Sequence, residues 1–280
     1  MPSSPLCSHP RSQLAAPLCL ALLAALLALA GVPAGAATVQ LEELTWTEVR
    51  DALGAGTTTV IIPIGGTEQN GPHMALGKHN FRVAALSSRI ADKLGNALVA
   101  PVVSYVPEGR VSPPAGHMRF AGTISVPGDA FAAIVAGAAR SFRQHGFLDI
   151  VLIGDSGNYQ GQLKDVAQRL NREWAGTRAR VHFVPDYYRA ATEGFAQALR
   201  AQGLSEAQIG VHAGAADTSL MLAVDPARVR ADRLHAGAAS ESTTGVVGDP
   251  SRASAALGKI GIDLAVEQAV AAIRQAVKLP

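Results

Sequence analysis

The sequence predicts an α/β fold with three layers, in which helices cover both faces of a mostly parallel β-sheet. Strand-like and helix-like segments alternate from Val39 onward without a long linker, and a repeated strand-then-helix order is typical of parallel sheets. The strand-like segments are continuous apolar runs, such as TTTVIIPIG at 57–65, which suit strands that are buried on both faces. No internal repeat interrupts this order, so we expect one domain over residues 37–280.

Hydrophobic spacing and flanking residues define the individual elements. In the helix predicted at 82–95, Val83, Leu86, Ile90 and Leu94 fall on one face, and Gly95 marks its end. The other predicted strands are 97–106, 149–154 and 180–188, and the other predicted helices are 127–146, 161–176, 193–203 and 258–279.

Residues 1–36 have the composition of a secretory signal peptide. A first part with the single charge Arg11 precedes an apolar run that ends in the cleavage pattern 34–36, Ala-Gly-Ala. The alternative is a retained membrane anchor, but the small residues at its end favour cleavage, and no later stretch reaches the ~20 apolar residues of a span. We therefore expect an exported protein, periplasmic or secreted, without stable membrane insertion after cleavage.

Composition narrows the remaining function classes. The 280-residue chain is 48% hydrophobic and 16% charged, as expected for an ordered globular protein. A formal net charge of +2 without runs of Lys or Arg gives no basis for nucleic-acid binding. Cys7 and Cys19 both lie in the predicted leader, so the mature chain has neither disulfides nor a cysteine-based metal site.

Three polar loops follow predicted strands or open predicted helices, and loops at the carboxyl ends of parallel strands converge. Imidazole and carboxylate ligands without thiolates suit zinc or manganese, although single residues of these types also serve as turn formers and helix caps. The candidate residues are Glu68, Asn70, His73 and His79 in the first loop, Asp155 and Asn158 in the second, and His212 and Asp217 in the third.

These loops resemble the creatininase (creatinine amidohydrolase) family. PIGGTEQNGPHMALGKHN is similar to its signature P-x-G-S-x-E-Q-H-G-P-H-L-P-L-x-T-D. AGHMRFAGTISVP, IGDSGN, HAGAADTS and GVVGDPSRASAALGKIG resemble later family segments in the same order. The resemblance runs from about Leu44 to the last helix. It implies an α/β/α fold, a homo-oligomer, and a two-metal site that hydrolyses amide bonds of small, often cyclic molecules.

The family's ligand positions fall on residues of partly different type. The resemblance implies Zn or Mn ligands, for one or two ions, at Glu68, Asn70, His79, Asp155 and Asp217. We expect His212 either to polarise the substrate carbonyl or carry the proton to the leaving nitrogen, as imidazole commonly does near neutral pH, or to orient Asp217. We expect His73, His117 and Asn158 to support the ligands or line the pocket. His79 stands where the family has the bridging Asp, and Asp155 stands where it has a His. We expect the three carboxylates to require a cation, because without one they would repel each other.

The leading interpretation is an exported, metal-dependent amidohydrolase with a small-molecule amide substrate. The first alternative is a catalytically impaired binding protein of the same family. The second is a serine esterase of the SGNH type, with Ser156 in the string Gly-Asp-Ser and the pair Asp232 and His235 at the Asp-x-x-His spacing. Ser156 occupies a glycine position of the family segment, and the esterase's G-x-N-D segment is missing from the sequence, so this alternative is disfavoured.

Overall fold

A parallel four-stranded sheet lies at the centre of the unit Thr38–Pro280, one of two compact units into which the chain divides. The computed structural model describes residue 1, residues 38–237 and residues 241–277. The strands are β1 (Thr59–Ile64), β2 (Ala97–Val99), β3 (Asp149–Gly154) and β4 (Arg180–Phe183), in the order β2-β1-β3-β4. β1 and β3 pair in register over their full lengths, from Thr59 opposite Asp149 to Ile64 opposite Gly154.

Helices cover both faces of this sheet. They are α1 (Trp46–Gly54), α2 (Lys78–Leu94), α3 (Gly128–Gln144), α4 (Gln160–Glu173), α5 (Pro185–Arg189), α6 (Phe195–Ala201), α7 (Glu206–Ile209), α8 (Ala215–Val224), α9 (Leu234–Gly237), α10 (Glu241–Thr244) and α11 (Ala255–Val277). Alternate residues of β1 point to opposite layers: Ile61 packs against the cluster that holds α2 and α11, and Ile62 packs against that of α3 and α4. The predicted three-layer α/β/α fold is confirmed.

Prolines account for two differences from the predicted strands. The strand predicted at 97–106 is reduced to β2 and ends before Pro101, which cannot donate a hydrogen bond to a neighbouring strand. The strand predicted at 180–188 ends at Phe183, and Pro185 opens α5, where its missing N–H carries no cost. The helix predicted at 82–95 begins four residues earlier, at Lys78.

The predicted leader, residues 1–36, lies outside the described residues apart from Met1, so cleavage and export remain predictions. Within the described ranges, we find no helix with the length and apolar character needed to cross a membrane.

Candidate active site

The three loops named from the sequence converge beyond the carboxyl ends of β1 and β3. They surround a cavity of about 350 Å³. The first loop supplies Glu68, the second supplies Asp155 directly after β3, and the third supplies His212 and Asp217 at the start of α8. His117, from the loop between β2 and α3, also lines the cavity. The convergence of the three loops agrees with the strand-end rule.

Two glycines place the first loop against the start of α2. The backbone N–H of Gly66 donates to Asn80 Oδ1 at 2.9 Å. A Cβ on Gly65 would lie 2.1 Å from the same oxygen, which is closer than van der Waals contact allows. The two glycines therefore let the chain pass directly beside Asn80, and this brings Glu68 to the cavity.

The buried side chain of Asn70 holds the same loop together through hydrogen bonds. Its Nδ2 donates to the backbone carbonyls of Glu68, Ala75 and Leu76 at 2.9, 3.0 and 3.3 Å. Its Oδ1 is buried without a hydrogen-bond partner, and Asn70 does not line the cavity. These contacts give Asn70 a structural role, while its predicted role as a metal ligand remains a prediction.

The His-Ala-Gly segment sets the direction of the third loop. Ala213 has a φ of 54°, an uncommon value for a residue other than glycine, and its N–H donates to Asp217 Oδ2 at 2.9 Å. A Cβ on Gly214 would lie 2.6 Å from the carbonyl oxygen of Ile209. This tight turn brings His212 and Asp217 to the cavity together.

Six charged side chains form a hydrogen-bonded group at the base of the cavity, which we name the charged cluster. Its members are Glu68, Asp155 and Asp217, and Lys78, His79 and Arg82 from the first turns of α2. Lys78 Nζ lies 2.7 Å from Asp217 Oδ2 and 3.4 Å from Glu68 Oε1. Burial raises the pKa of Glu68, but the charges of Lys78 and His79 lower it by more. The net pKa is well below its usual value, so this carboxyl is ionised at neutral pH.

His79 lies between two carboxylates. Its Nδ1 is 2.6 Å from Asp155 Oδ1, and its Nε2 is 2.8 Å from Glu68 Oε1. Ionised carboxylates can only accept hydrogen bonds, so both ring nitrogens donate and the imidazole is cationic. Burial and Lys78 lower the pKa of His79, but the two carboxylates more than offset this and the net pKa is raised.

Arg82 joins the other two carboxylates. Its Nε lies 2.8 and 3.0 Å from the two oxygens of Asp155, and its Nη1 lies 2.8 Å from Asp217 Oδ1. Tyr187 donates its hydroxyl to Asp155 Oδ2 at 2.5 Å. Burial raises the pKa of Asp155, but Arg82 and His79 lower it more strongly, and the pKa of Asp217 is also well below its usual value.

The cluster therefore holds three anions and three cations. The expectation that the carboxylates need a metal ion did not include Lys78 and Arg82, which supply positive charge from within the chain. The carboxylates accept hydrogen bonds from His79 and from these cations. As arranged, this predicted set does not fit an ion between its members. A sequence signal existed, because Lys78 and Arg82 continue at four-residue intervals the buried stripe of Leu86 and Ile90 on α2.

A different group of residues does fit an ion. One ligand atom each from Glu68, His117 and His212 lies within 4.8 Å of the other two. Glu68 Oε2 is 3.2 Å from His117 Nε2, and Glu68 Oε1 is 3.7 Å from His212 Nδ1. Such separations suit atoms that each lie ~2.0–2.2 Å from a shared zinc ion. We name this group the His-His-Glu triad. The sequence analysis predicted that His117 supports the ligands or lines the pocket, and that His212 is catalytic.

Hydrogen bonding prepares His212 for ligation. Its Nε2 donates to the backbone carbonyl of Gln69 at 2.9 Å, so Nδ1 carries the lone pair. Nδ1 faces Glu68 and lies 3.4 Å from Lys78 Nζ. Burial and the nearby Lys78 lower the pKa of His212 to about 3. Burial also lowers the pKa of His117. Both imidazoles are therefore neutral at pH 7, the form that binds metals.

The sequence analysis missed Glu108, which does not line the cavity but contacts Asn158, which does. It is buried, and its Oε2 accepts a hydrogen bond from Asn158 Nδ2 at 2.6 Å. Burial and the charge of Glu68 raise the pKa of Glu108 to about 8, so this carboxyl is protonated at neutral pH. The sequence feature that could have indicated Glu108 is its position in YVPEGR, just beyond the strand predicted at 97–106. Asn158, predicted as a pocket residue, holds Glu108 and lines the cavity.

His73 lies outside the cavity. Its Nε2 is 3.0 Å from Thr218 Oγ1, and burial lowers its pKa to about 4. Because Thr218 Oγ1 in turn donates to the carbonyl of Ala213, a neutral His73 with a protonated Nε2 ties the first loop to the start of α8. This contact agrees with a supporting role.

The residues of the esterase alternative are not assembled at the cavity. Ser156 lines it, and its Oγ accepts a hydrogen bond from the backbone N–H of Asn158 at 3.3 Å. Neither Asp232 nor His235 lines the cavity, and Asp232 is an exposed residue that lies beside Arg233. Ser156 therefore has the local role of capping the turn before α4.

Comparison with known proteins identifies the family of the chain. The family model described as creatininase, creatinine amidohydrolase, matches residues 42–273. Creatinine amidohydrolase of Pseudomonas putida is 30% identical over 203 residues, which are 70% of this chain and 76% of the relative. The mycofactocin precursor peptide peptidase of Mycobacterium tuberculosis (strain H37Rv) is 27% identical over 74% of this chain and 81% of the relative. The chain belongs to the creatininase family, and these relatives are hydrolases that act on C–N bonds.

Solved creatininase structures share the fold. The structure named "Creatininase Mn" superposes with a TM-score of 0.69 at 26% identity, covering 86% of this chain and 100% of that chain. A creatininase variant of the Zn-Zn type gives a TM-score of 0.70 at 25% identity, covering 87% of this chain and 100% of that chain. These relatives are thus described with manganese or zinc, the ions expected from the sequence.

Proposed function

We propose that this protein is a metal-dependent hydrolase that cleaves a C–N bond of a small amide, with one divalent ion held by Glu68, His117 and His212. The observation that carries the proposal is the convergence of these three ligand atoms within 4.8 Å at the wall of the cavity. Three protein ligands leave a coordination position open to substrate, as in catalytic zinc sites. When bound, Zn or Mn would supply Lewis acidity toward the substrate carbonyl.

A residue other than the three ligands must carry the proton during hydrolysis. As a ligand, His212 commits its Nδ1, so it cannot also act as the proton carrier predicted from the sequence. Glu108 is the alternative, because it holds a proton at neutral pH and its charge state is linked to that of Glu68. Asn158 fixes the Glu108 carboxyl by its 2.6 Å hydrogen bond.

The cavity favours a small substrate. Its volume of about 350 Å³ lies at the lower end of the range for small-molecule sites, ~300–1,000 Å³. Polar groups make up much of its wall, including Arg119, Asn158 and Tyr188. We infer that the substrate is a compact amide with several hydrogen-bonding groups, such as a cyclic amide, rather than a long peptide.

The test is to measure ion content and turnover on the same protein. Protein loaded with Mn²⁺ or Zn²⁺ is dialysed, analysed for metal, and incubated with creatinine, other cyclic amides and short peptides. We expect about one ion per chain and hydrolysis of at least one cyclic amide. His117→Ala should lose most of the ion and the activity. His182→Ala is the matched control, because His182 pairs with Asp149 at 2.7 Å and does not line the cavity. Equal ion content in the two variants would contradict the proposal.

A binding protein without turnover is the second candidate. It is favoured by the charged cluster, in which residues at the family's ligand positions are already paired with Lys78 and Arg82. Calorimetric binding of a cyclic amide by the loaded protein, with no product after long incubation, would select this candidate over the hydrolase.

We also propose that residues 1–36 are removed during export to the periplasm or the medium, and that the mature protein forms a homo-oligomer. The cleavage pattern at 34–36 supports the first statement, and the family resemblance supports the second. N-terminal sequencing should give a start at Ala37, whereas an intact Met1 on membrane-bound material would count against export. Light scattering on the mature chain measures the oligomer.

A further inference from the structure

We propose that Lys78 and Arg82 are built-in counter-cations that take the place of a metal ion beside Asp155 and Asp217. The cavity would then accept an ion at one position at most, the His-His-Glu triad. The inference rests on the proposed function for the location of that one position. It does not depend on turnover, because it concerns the number of ions that the chain can hold.

The contacts of Asp217 give the first argument. Lys78 Nζ lies 2.7 Å from its Oδ2, and Arg82 Nη1 lies 2.8 Å from its Oδ1. The N–H of Ala213 donates to Oδ2 as well. Each oxygen therefore already has a cationic partner at hydrogen-bond distance, and a metal ion would have to displace an ammonium or a guanidinium group.

Asp155 is occupied in the same way. Arg82 Nε reaches both of its oxygens, and the Tyr187 hydroxyl and His79 Nδ1 complete its contacts. A carboxylate with two oxygens offers about four lone-pair sites, and these donors use them. Ligation of an ion by Asp155 would therefore require breaking buried, charge-assisted hydrogen bonds.

The two cations are fixed in place by burial. Lys78 and Arg82 are 1% and 3% exposed and belong to the inward-facing stripe of α2. Moving either charge away from its carboxylate partners inside the protein would leave it unpaired in a medium of low polarity, which is unfavourable. The pairs of Lys78 and Arg82 with Asp155 and Asp217 also carry no net charge, so electrostatic attraction for a second cation is weak.

Lys78 also lies beside the remaining position. Its Nζ is 3.4 Å from Glu68 Oε1 and 3.4 Å from His212 Nδ1, two of the atoms proposed to hold the ion. Repulsion between an ammonium group and a divalent ion at this range weakens binding, so removal of the charge should tighten ion binding by about tenfold or more.

The experiment compares Lys78→Met with wild type by calorimetry with Mn²⁺ and Zn²⁺, elemental analysis and thermal unfolding. We expect wild type to hold no more than one ion per chain. Lys78→Met should bind ions about tenfold tighter or take up an additional ion, and saturating ion should raise its Tm by about 5 °C more than that of wild type. Lys93→Met is the matched control, since Lys93 lies on the same helix and pairs with Glu267 at the surface at 2.7 Å. It should behave as wild type.

The double variant Lys78→Met, Asp217→Asn guards against loss of folding, because it removes one positive and one negative charge together. It should fold without added ion and hold no additional ion. Two ions per wild-type chain, or ion content, affinity and Tm of Lys78→Met equal to those of wild type, would overturn the inference. A wild type without any ion, together with ion uptake by Lys78→Met, would refute the metal-dependent hydrolase but support the counter-cation role.

Discussion

Glu108→Gln tests the electrostatics of the cavity through protein stability alone. In the folded protein, burial and the charge of Glu68 raise the pKa of Glu108 to about 8 from an ordinary value of 4.5. A raised pKa means that the folded state binds the proton more tightly than the unfolded state does. The stabilisation is fully present below pH 4.5 and is lost as the pH rises through 8.

The size of the effect follows from the two pKa values. One pH unit between them changes the free energy of unfolding by about 1.36 kcal/mol per proton. Between pH 5 and pH 7 the wild type should therefore lose about 2–3 kcal/mol through Glu108. Gln has nearly the same shape as protonated Glu and does not titrate, so Glu108→Gln should not have this loss.

The assay is urea unfolding of both proteins at pH 5, 6, 7 and 8 with a chelator present. Other groups titrate in this range, but they are shared by wild type and variant, so the difference between the two curves isolates Glu108. The variant should gain stability relative to wild type with rising pH. Glu42→Gln makes the same charge change at an exposed position and should show no such gain. A difference between Glu108→Gln and wild type that is constant with pH would show that Glu108 is not held protonated.

Four further substitutions test other parts of the structure. Arg82→Met leaves two buried carboxylates without their shared cation and should cost about 3–5 kcal/mol in urea unfolding, so a cost below 1 kcal/mol would contradict the pairing. Ser156→Ala should leave hydrolysis of any amide substrate within a few-fold of wild type, and labelling of Ser156 by a serine-directed phosphonate with loss of activity would restore the esterase. Gly258→Ala should destabilise by about 1–3 kcal/mol or more, because its Cβ would lie 1.8 Å from the carbonyl oxygen of Ser219. Gly137→Ala has no atom within 4 Å of the new Cβ and should stabilise by about 0.5–1 kcal/mol.

The fold could be predicted well because the central strands are continuous apolar runs that are easily recognised in the sequence. The strand predicted at 149–154 has the bounds of β3, and the loops that follow β1 and β3 bring Glu68 and Asp155 to the cavity. These features depend on local composition and on the geometry of parallel sheets. The strands and their loops could therefore be predicted without knowing which distant residues contact each other.

The sequence analysis missed the charged cluster because of where α2 begins. The sequence favoured a helix from Arg82, since the preceding Lys78, His79 and Asn80 are polar and follow a Gly-Pro-rich loop. A positive charge in the first turn is also unfavourable for a helix dipole, and this turn contains no acidic residue. Only with the helix extended back to Lys78 do Lys78 and Arg82 share one buried face. Their acidic partners come from other loops, beyond the reach of local patterns.

The departures from the family signature form one electrostatic unit. His79 stands at an Asp position, and as a cation it adds two units of positive charge. Lys78 stands at a Thr position and adds one unit, whereas Asp155 stands at a His position and removes one. The net change at these three positions is two positive units, which equals the charge of one divalent ion. Contacts in the structure join the three changed residues through shared partners: His79 bonds Asp155 and Glu68, and Lys78 bonds Glu68 and Asp217. Taken singly, the changes at His79 and Asp155 replace family ligands with residues of another type, and Lys78 adds a positive charge beside them. Taken together, they replace the charge of an ion with side chains, which explains how the carboxylates stay ionised and buried in one cavity.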